Sequence, residues 1–431
     1  MSRPARSQTP ARSVSATPLN RIDDLARPRL PLALRVLNLG GRPLARAIRL
    51  DEAGLLAAAC RRSGLSDFGD PMFREPLRVL LAALEREAGL APIGRFIARS
   101  LIVQLLVTRL RVEARVREHP EILAEEVRAP IVILGLPRTG TTHLHNLLSH
   151  DPALRSLPYW ESLEPIPDAP DPRRPPEPDP RIARCAQALR LVHWAMPLFP
   201  LMHEMEPEAR HEEIQLLAVA FSTMLFEASY FVPSYRDWYR ATDQTSAYFE
   251  LRRMLQALQW LRGPRRWLLK SPQHLEQLGP LLRVFPDVRI VQTHRDPVRV
   301  TASMCTMAAY GLRMARTRVD VRAVGRYWAD RIEVMLRASV EGRPLVPASQ
   351  VMDVRFHEFM ADDLATVEAI YAFLGEPLTP PARAGMCAYR EAHARGRLGA
   401  IDYRLEDFGL DAGERRRALR FYQERFGIRD E

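Results

Sequence analysis

The sequence predicts an α/β protein: a P-loop-type parallel sheet flanked by helices, with a helical N-terminal extension. Three observations carry this. The first is Ile131-Val132-Ile133-Leu134-Gly135-Leu136-Pro137-Arg138-Thr139-Gly140-Thr141-Thr142, an apolar run that breaks into a glycine-framed loop. It continues into His143-Leu144-His145-Asn146-Leu147-Leu148, where Leu144, Leu147 and Leu148 recur at helical spacing, so the order is buried strand, tight loop, helix. The second is a pair of short apolar runs, Arg266-Trp267-Leu268-Leu269 and Arg289-Ile290-Val291-Gln292-Thr293, separated by a helical pattern from Leu275 to Phe285. Strand, helix, strand in this order builds a parallel sheet. The third is the set of apolar stripes ahead of the loop: Leu55, Leu56 and Ala59, then Leu77, Leu80, Leu81 and Leu84, then Leu101, Leu105 and Leu106. They are the core-facing sides of three or so helices.

Taken in order, residues 1–20 mix Ser, Thr, Pro, Ala and Arg without acids and are expected to form a disordered tail. Residues 21–125 form the helical extension, with a turn at Ser66 to Pro71, and residues 126–431 the P-loop domain. Between 165 and 180 half of the positions are proline, which excludes regular structure and predicts an exposed rim. Helices are expected from about Arg181 to Leu191, Glu212 to Tyr230 and Ala247 to Leu261. A fourth strand is expected at Val351 to Phe356, then a helix near Leu364 to Leu374 and a terminal helix near Ala412 to Phe426.

Composition narrows the classes. A hydrophobic content of 47% with 26% charged residues is that of a soluble globular chain. The four cysteines, Cys60, Cys185, Cys305 and Cys387, are scattered with no CxxC pair, so neither a zinc site nor a disulfide framework is indicated and a reducing, cytoplasmic setting fits. Of the net charge of +10, residues 1–50 hold +8, ten arginines against Asp23 and Asp24, so the body is nearly neutral and a nucleic-acid partner is not expected. The longest apolar candidate, Leu189 to Met202, is broken by Arg190, His193 and two prolines, so no membrane span is expected. Oligomeric state cannot be read from the chain.

The loop is an anion site by construction. Its turn aims unpaired backbone N–H groups and the positive end of a helix dipole at one point. Gly135 to Gly140 followed by two hydroxyl residues has the spacing of a Walker A loop, yet Thr141 stands where that loop has the lysine that reaches the phosphates of ATP. Arg138 can supply the charge as a planar fork. Lys270, the sole lysine of the chain, ends one strand and Arg295 follows another, at the strand ends where open α/β sheets place ligands. Asp296-Pro297 is a helix start, and beyond it Arg299 and Ser303 share a face with Arg295 at the entrance, a second place to hold a phosphate. Arg295 is equally compatible with a surface ion pair.

Pro137-Arg138-Thr139-Gly140-Thr141-Thr142 resembles the 5′-phosphosulfate loop of the PAPS-dependent sulfotransferases, and Arg295 with Ser303 resembles their 3′-phosphate site. The resemblance covers about residues 130 to 427 and points to the bacterial-type sulfotransferase family, related to the tyrosyl-protein type. It implies 3′-phosphoadenosine 5′-phosphosulfate (PAPS) as donor, bound by Pro137, Arg138, Thr139, Gly140, Thr141 and Thr142 at one end and by Arg295 and Ser303, with Arg299 beside them, at the other. It implies that Lys270 sits near the bridging oxygen, where a compact cation offsets the charge that builds on the leaving group. The resemblance suggests that the segment Gly396-Arg397-Leu398-Gly399 closes over the nucleotide; a surface loop is the equal alternative.

The acceptor must lose a proton. The resemblance suggests Glu161, whose aromatic neighbours imply the partial burial that raises a carboxyl pKa; a solvated surface glutamate is the alternative, and His203 is the rival base. His203 and His211 form no HExxH pair and no other ligand cluster appears, so no metal is expected. The expected acceptor is a small-molecule hydroxyl, or less readily an amine. Aromatic residues including Trp194, Phe199, Phe226, Tyr230, Trp238 and Tyr239 favour a lipid-like or aromatic alcohol over a bare sugar. A P-loop nucleotide kinase and a non-catalytic nucleotide-binding scaffold are the competing readings.

Overall fold

Five parallel strands carry the site: β1 (Ile131–Leu134), β2 (Leu154–Arg155), β3 (Arg266–Lys270), β4 (Arg289–His294) and β5 (Val351–Arg355), in the order β2-β3-β1-β4-β5. The computed structural model describes residues 19–45, 47–169, 171–393 and 399–431. Because β1 lies between β3 and β4, the chain leaves it to one side and later returns on the other, and the crevice opens at the carboxyl ends. Ile133 pairs with Lys270 and Leu134 with Gln292, so the loop after β1, Lys270 and Arg295 emerge from the same sheet edge.

All four residues of β1 are buried because helices cover both faces. Alternation sorts them: Ile131 and Ile133 join a core with Leu144, Leu147, Val367 and Ile370. Val132 and Leu134 face a larger core that reaches Leu77 and Leu106 of the N-terminal helices and Phe426 at the other end of the chain. The helical extension and the sheet therefore share one interior. Its helices Glu52–Ser63, Arg74–Arg86 and Pro92–Glu118 follow the three apolar stripes. Leu32–Gly40 adds a helix ahead of them. Leu19 and Asn20, expected in the tail, pair with Ala400 and Ile401 instead; residues 1–18 lie outside the described residues.

The helix expected from Glu212 to Tyr230 is broken. It divides into Ile214–Leu217, a 3-10 turn Ala218–Ala220 and Leu225–Ser229, with Phe221 in the left-handed region at φ 57°. Side chains take the backbone groups a continuous helix would pair internally. The Tyr235 hydroxyl accepts from the Thr223 N–H at 3.0 Å and lies 2.9 Å from the Phe221 carbonyl, while the Gln273 Oε1 accepts from the Met224 N–H at 3.1 Å. The fully buried Arg331, on the unanticipated helix Val321–Gly342, clamps this wall by donating to Glu227 at 2.8 Å and to Glu276. The proline-rich rim ends where Asp179 caps Pro180–Ala195.

Candidate functional site

The loop after β1 is held by contacts that only these residues allow. A Cβ at Gly135 would lie 2.1 Å from the Thr293 Oγ1, so β4 approaches too closely for any other residue. The Thr139 hydroxyl donates to the Leu136 carbonyl at 2.6 Å, which uses its one proton, so Thr293 donates to Thr139 across 2.7 Å. The Thr139 side chain is thus an internal brace that ties the loop to β4. Arg138 sits at φ 71° and Gly140 at φ 89°, directly ahead of the helix Thr141–Leu148. For a non-glycine residue that conformation costs on the order of 1–3 kcal/mol. Two bonds hold it: the Arg295 Nη1 donates to the Arg138 carbonyl at 2.8 Å, and the Arg138 Nη1 donates to the Met202 carbonyl at 2.6 Å.

Lys270 is 1% exposed at the end of β3. Its Nζ donates to the Glu212 Oε1 at 2.6 Å and lies 3.5 Å from the Thr142 hydroxyl. The backbone under it is fixed by a buried chain: Lys270 N–H donates to Glu213 at 2.8 Å, Glu213 bonds His274, and His274 bonds the Tyr248 hydroxyl at 2.6 Å. Burial pushes the Glu213 carboxyl up, but the His274 and Lys270 bonds outweigh it and hold the group below its ordinary value. Three histidines near the lysine are held below their ordinary value. Burial first, and then the Lys270 charge, lowers His203 and takes His145 to about 3; for His211 burial and its neighbour His203 act before Lys270 and carry it well below its usual range.

At the second cradle, the Asp296 side chain accepts from the Val298 N–H at 2.9 Å and Pro297 opens the helix Pro297–Gly311, as expected. Arg295 packs over the Phe356 ring at 4.0 Å, and its Nε and Nη2 donate to the Glu431 carboxylate at 3.0 and 2.7 Å. The Ser303 hydroxyl is buried with no hydrogen-bond partner, and Ser303 does not line the cavity between the cradles. Arg299 is exposed and does not line the cavity between the cradles.

That cavity, of about 790 Å³, is lined by Pro137, Arg138, Gly140, Thr141 and Thr142 of the loop, by Arg295, and by His203, His211 and Glu212. The two anion cradles thus open onto one space. Glu161 does not reach it. Its Oε2 accepts from Arg155 at 3.2 Å and its Oε1 from Arg262 at 3.4 Å, so it is a buried ion-pair partner and the base role expected of it is corrected. Glu212 is the residue sequence reasoning missed: it follows His211 and precedes Glu213 with nothing in the spacing to mark which glutamate faces the cavity. Of the expected closing segment, residues 396–398 lie outside the described residues. Among the described residues no His, Cys, Asp and Glu group is arranged to hold a metal ion, and no helix is long and apolar enough to cross a membrane.

A P-loop-like turn without its lysine faces an arginine across one sheet edge, an arrangement suited to a group that carries several negative charges. The model of the sulfotransferase family matches residues 130–380, more than half of the chain, and the chain belongs to that family. It is similar to the sulfotransferase STF1 of Mycobacterium tuberculosis H37Rv, at 32% identity and a TM-score of 0.74 over 86% of this chain and 98% of that one. It is likewise similar to the sulfotransferase STF9 of Mycobacterium avium, at 28% identity and a TM-score of 0.80 over 88% of this chain and 98% of that one. No curated protein matches it. Sulfuryl transfer is the general chemistry of the sulfotransferase family.

Proposed function

We propose that the chain moves the sulfuryl group of PAPS to the hydroxyl of a small-molecule acceptor by in-line transfer. One observation carries the reading: the loop residues and Arg295 line the same cavity as Glu212, whose carboxylate is 2.6 Å from the sole lysine. The loop N–H groups of Gly140, Thr141 and Thr142, with Arg138, bind the 5′-phosphosulfate. Arg295 and Ser303 bind the 3′-phosphate, and the partnerless Ser303 hydroxyl supports that assignment. Lys270 offsets the charge that develops on the bridging oxygen. Glu212 takes the acceptor proton once Lys270 turns to the donor, and His203 on the same wall, its imidazole held below its ordinary value by burial, orients the acceptor hydroxyl. The arginines and the lysine fill the electrostatic role without a metal. The chain is proposed to act in the cytoplasm, in keeping with its four free thiols.

The test is thermal. Adenosine 3′,5′-bisphosphate at 100 times its Kd stabilises a binding protein by about 2.7 kcal/mol, a shift of several degrees in Tm. It is expected to raise Tm, and ATP with magnesium is not. The reverse order would make the chain a kinase-like enzyme, and binding without movement of label from PAPS to any hydroxyl would make it a scaffold.

A further inference from the structure

Resting on that reading, we infer that the acceptor is an alcohol whose hydroxyl sits at the end of a long, flexible hydrocarbon. The cavity continues past the reacting groups along the second half of the helix Pro297–Gly311, where Met304 to Gly311 span about 10 Å. Met304, Met307, Ala308 and Gly311 recur at helical spacing and line one wall. The far end is made by the N-terminal extension: Gly94, Ile97 and Leu101 of the helix Pro92–Glu118 face the same space, beside Met314 and Ala315. The two helices close on each other there, since a Cβ at Gly94 would lie 2.4 Å from the Ala315 carbonyl oxygen. Neither helix contributes a polar side chain to the lining.

The chemistry of the walls selects the class. Eight of the fourteen methionines of the chain line the cavity, and their unbranched, polarisable side chains mould to an irregular apolar chain better than to one rigid shape. A sugar would bury hydroxyls against this wall without partners, at a cost of roughly 1–3 kcal/mol for each. A phenol would find aromatic faces at Tyr159, Phe199, Tyr230 and Phe356, but none on the two helices that extend the cavity. Outside the two extending helices the lining also holds the polar residues Gln215, Ser229 and Tyr230, and transfer is placed at those beside the loop, Arg138, Thr142, His203, His211 and Glu212. There the bond between sulfur and the bridging phosphate oxygen breaks as the acceptor oxygen bonds to sulfur. The acceptor proton passes to Glu212, and the leaving pair stays on adenosine 3′,5′-bisphosphate, giving an alkyl sulfate.

The experiment uses the full chain with PAPS and straight-chain primary alcohols of increasing length, beside a disaccharide and a phenol, and follows formation of the sulfate ester. The expected result is a kcat/KM that rises about three- to fourfold per added methylene before levelling off. Ile97→Trp, which fills the far end, is expected to move the plateau to shorter alcohols while adenosine 3′,5′-bisphosphate still raises Tm. A chain that binds this nucleotide but shows no turnover of the alkanols, rates independent of their length, or a preference for the disaccharide or phenol overturns the acceptor class and leaves the nucleotide reading standing. Absence of nucleotide binding overturns both.

Discussion

Lys270 survives in a chain whose other fixed positive charges are arginines, and its surroundings give a reason. The position is 1% exposed, with a carboxylate 2.6 Å from Nζ, so a compact ammonium fits where a planar guanidinium would crowd Thr142. The same geometry separates two glutamates that look alike in sequence. Glu212 lines the cavity, so Glu212→Gln is expected to lower kcat by about 10²–10⁴ while adenosine 3′,5′-bisphosphate binds as before. Glu161 holds Arg155 and Arg262 in the interior, so Glu161→Gln is expected to lower stability by as much as about 3 kcal/mol without changing kcat per folded molecule. Denaturant titration beside single-turnover rates checks both. A variant pair with the two effects exchanged would return the base role to Glu161.

At the scale of elements, the loop depends on β4 as much as on its own sequence. Gly135→Ala brings a methyl group to 2.1 Å from Thr293 Oγ1, and the expected outcome is loss of nucleotide binding with part of it regained in Gly135→Ala combined with Thr293→Ala. Isothermal titration measures it; binding unchanged in the single variant would show that the strands can part at no cost. The ends of β4 and β5 are tied by Asp353, which accepts from Arg343 at 2.7 Å and bonds His294 at 2.8 Å. Burial raises the Asp353 pKa, but these bonds outweigh it and the carboxyl is held well below 3.8. A depressed folded value means the stabilisation is complete above the ordinary carboxylate range and is lost as pH falls through the folded value. Asp353→Asn is therefore expected to lower Tm at pH 7, with the gap from the parent chain narrowing below about pH 4. A gap that holds constant down to pH 2 would dissociate the effect from ionisation. These strand ends were readable because an apolar run followed by a charged residue is what a buried parallel strand must look like at its exit. The wall at Glu212 to Tyr230 was not, since its apolar residues suit a helix and the breaks come from Tyr235 and Gln273, distant partners that leave no local mark. β2 has two residues, too few for any period to register.

Across the whole molecule, the loop after β1 and the helix start at Asp296 were legible in the sequence, but not what leans on them from far along the chain. The N-terminal helices were legible as helices from their stripes; that they close the cavity depends on Gly94 meeting Ala315, a contact with no signature in either segment. The other end of the chain bears on the site more directly. Asp296 accepts from the Glu431 N–H at 2.9 Å, which fixes Glu431 so that its carboxylate occupies two of the donor nitrogens of Arg295. On the proposed reading a 3′-phosphate takes the same guanidinium and displaces that carboxylate. Both partners are partly exposed, at 22% and 30%, so the pair is worth up to about 1 kcal/mol, which bounds its effect on affinity at about fivefold. Glu431→Gln is expected to tighten adenosine 3′,5′-bisphosphate by about two- to fivefold at low salt and less at high salt, where the competing pair is already screened. Adenosine 5′-monophosphate, which has no 3′-phosphate to compete for Arg295, is expected to bind the variant and the parent chain equally. Equal tightening of both nucleotides would mean that Glu431 acts on the site through general charge, and would detach Arg295 from the 3′-phosphate.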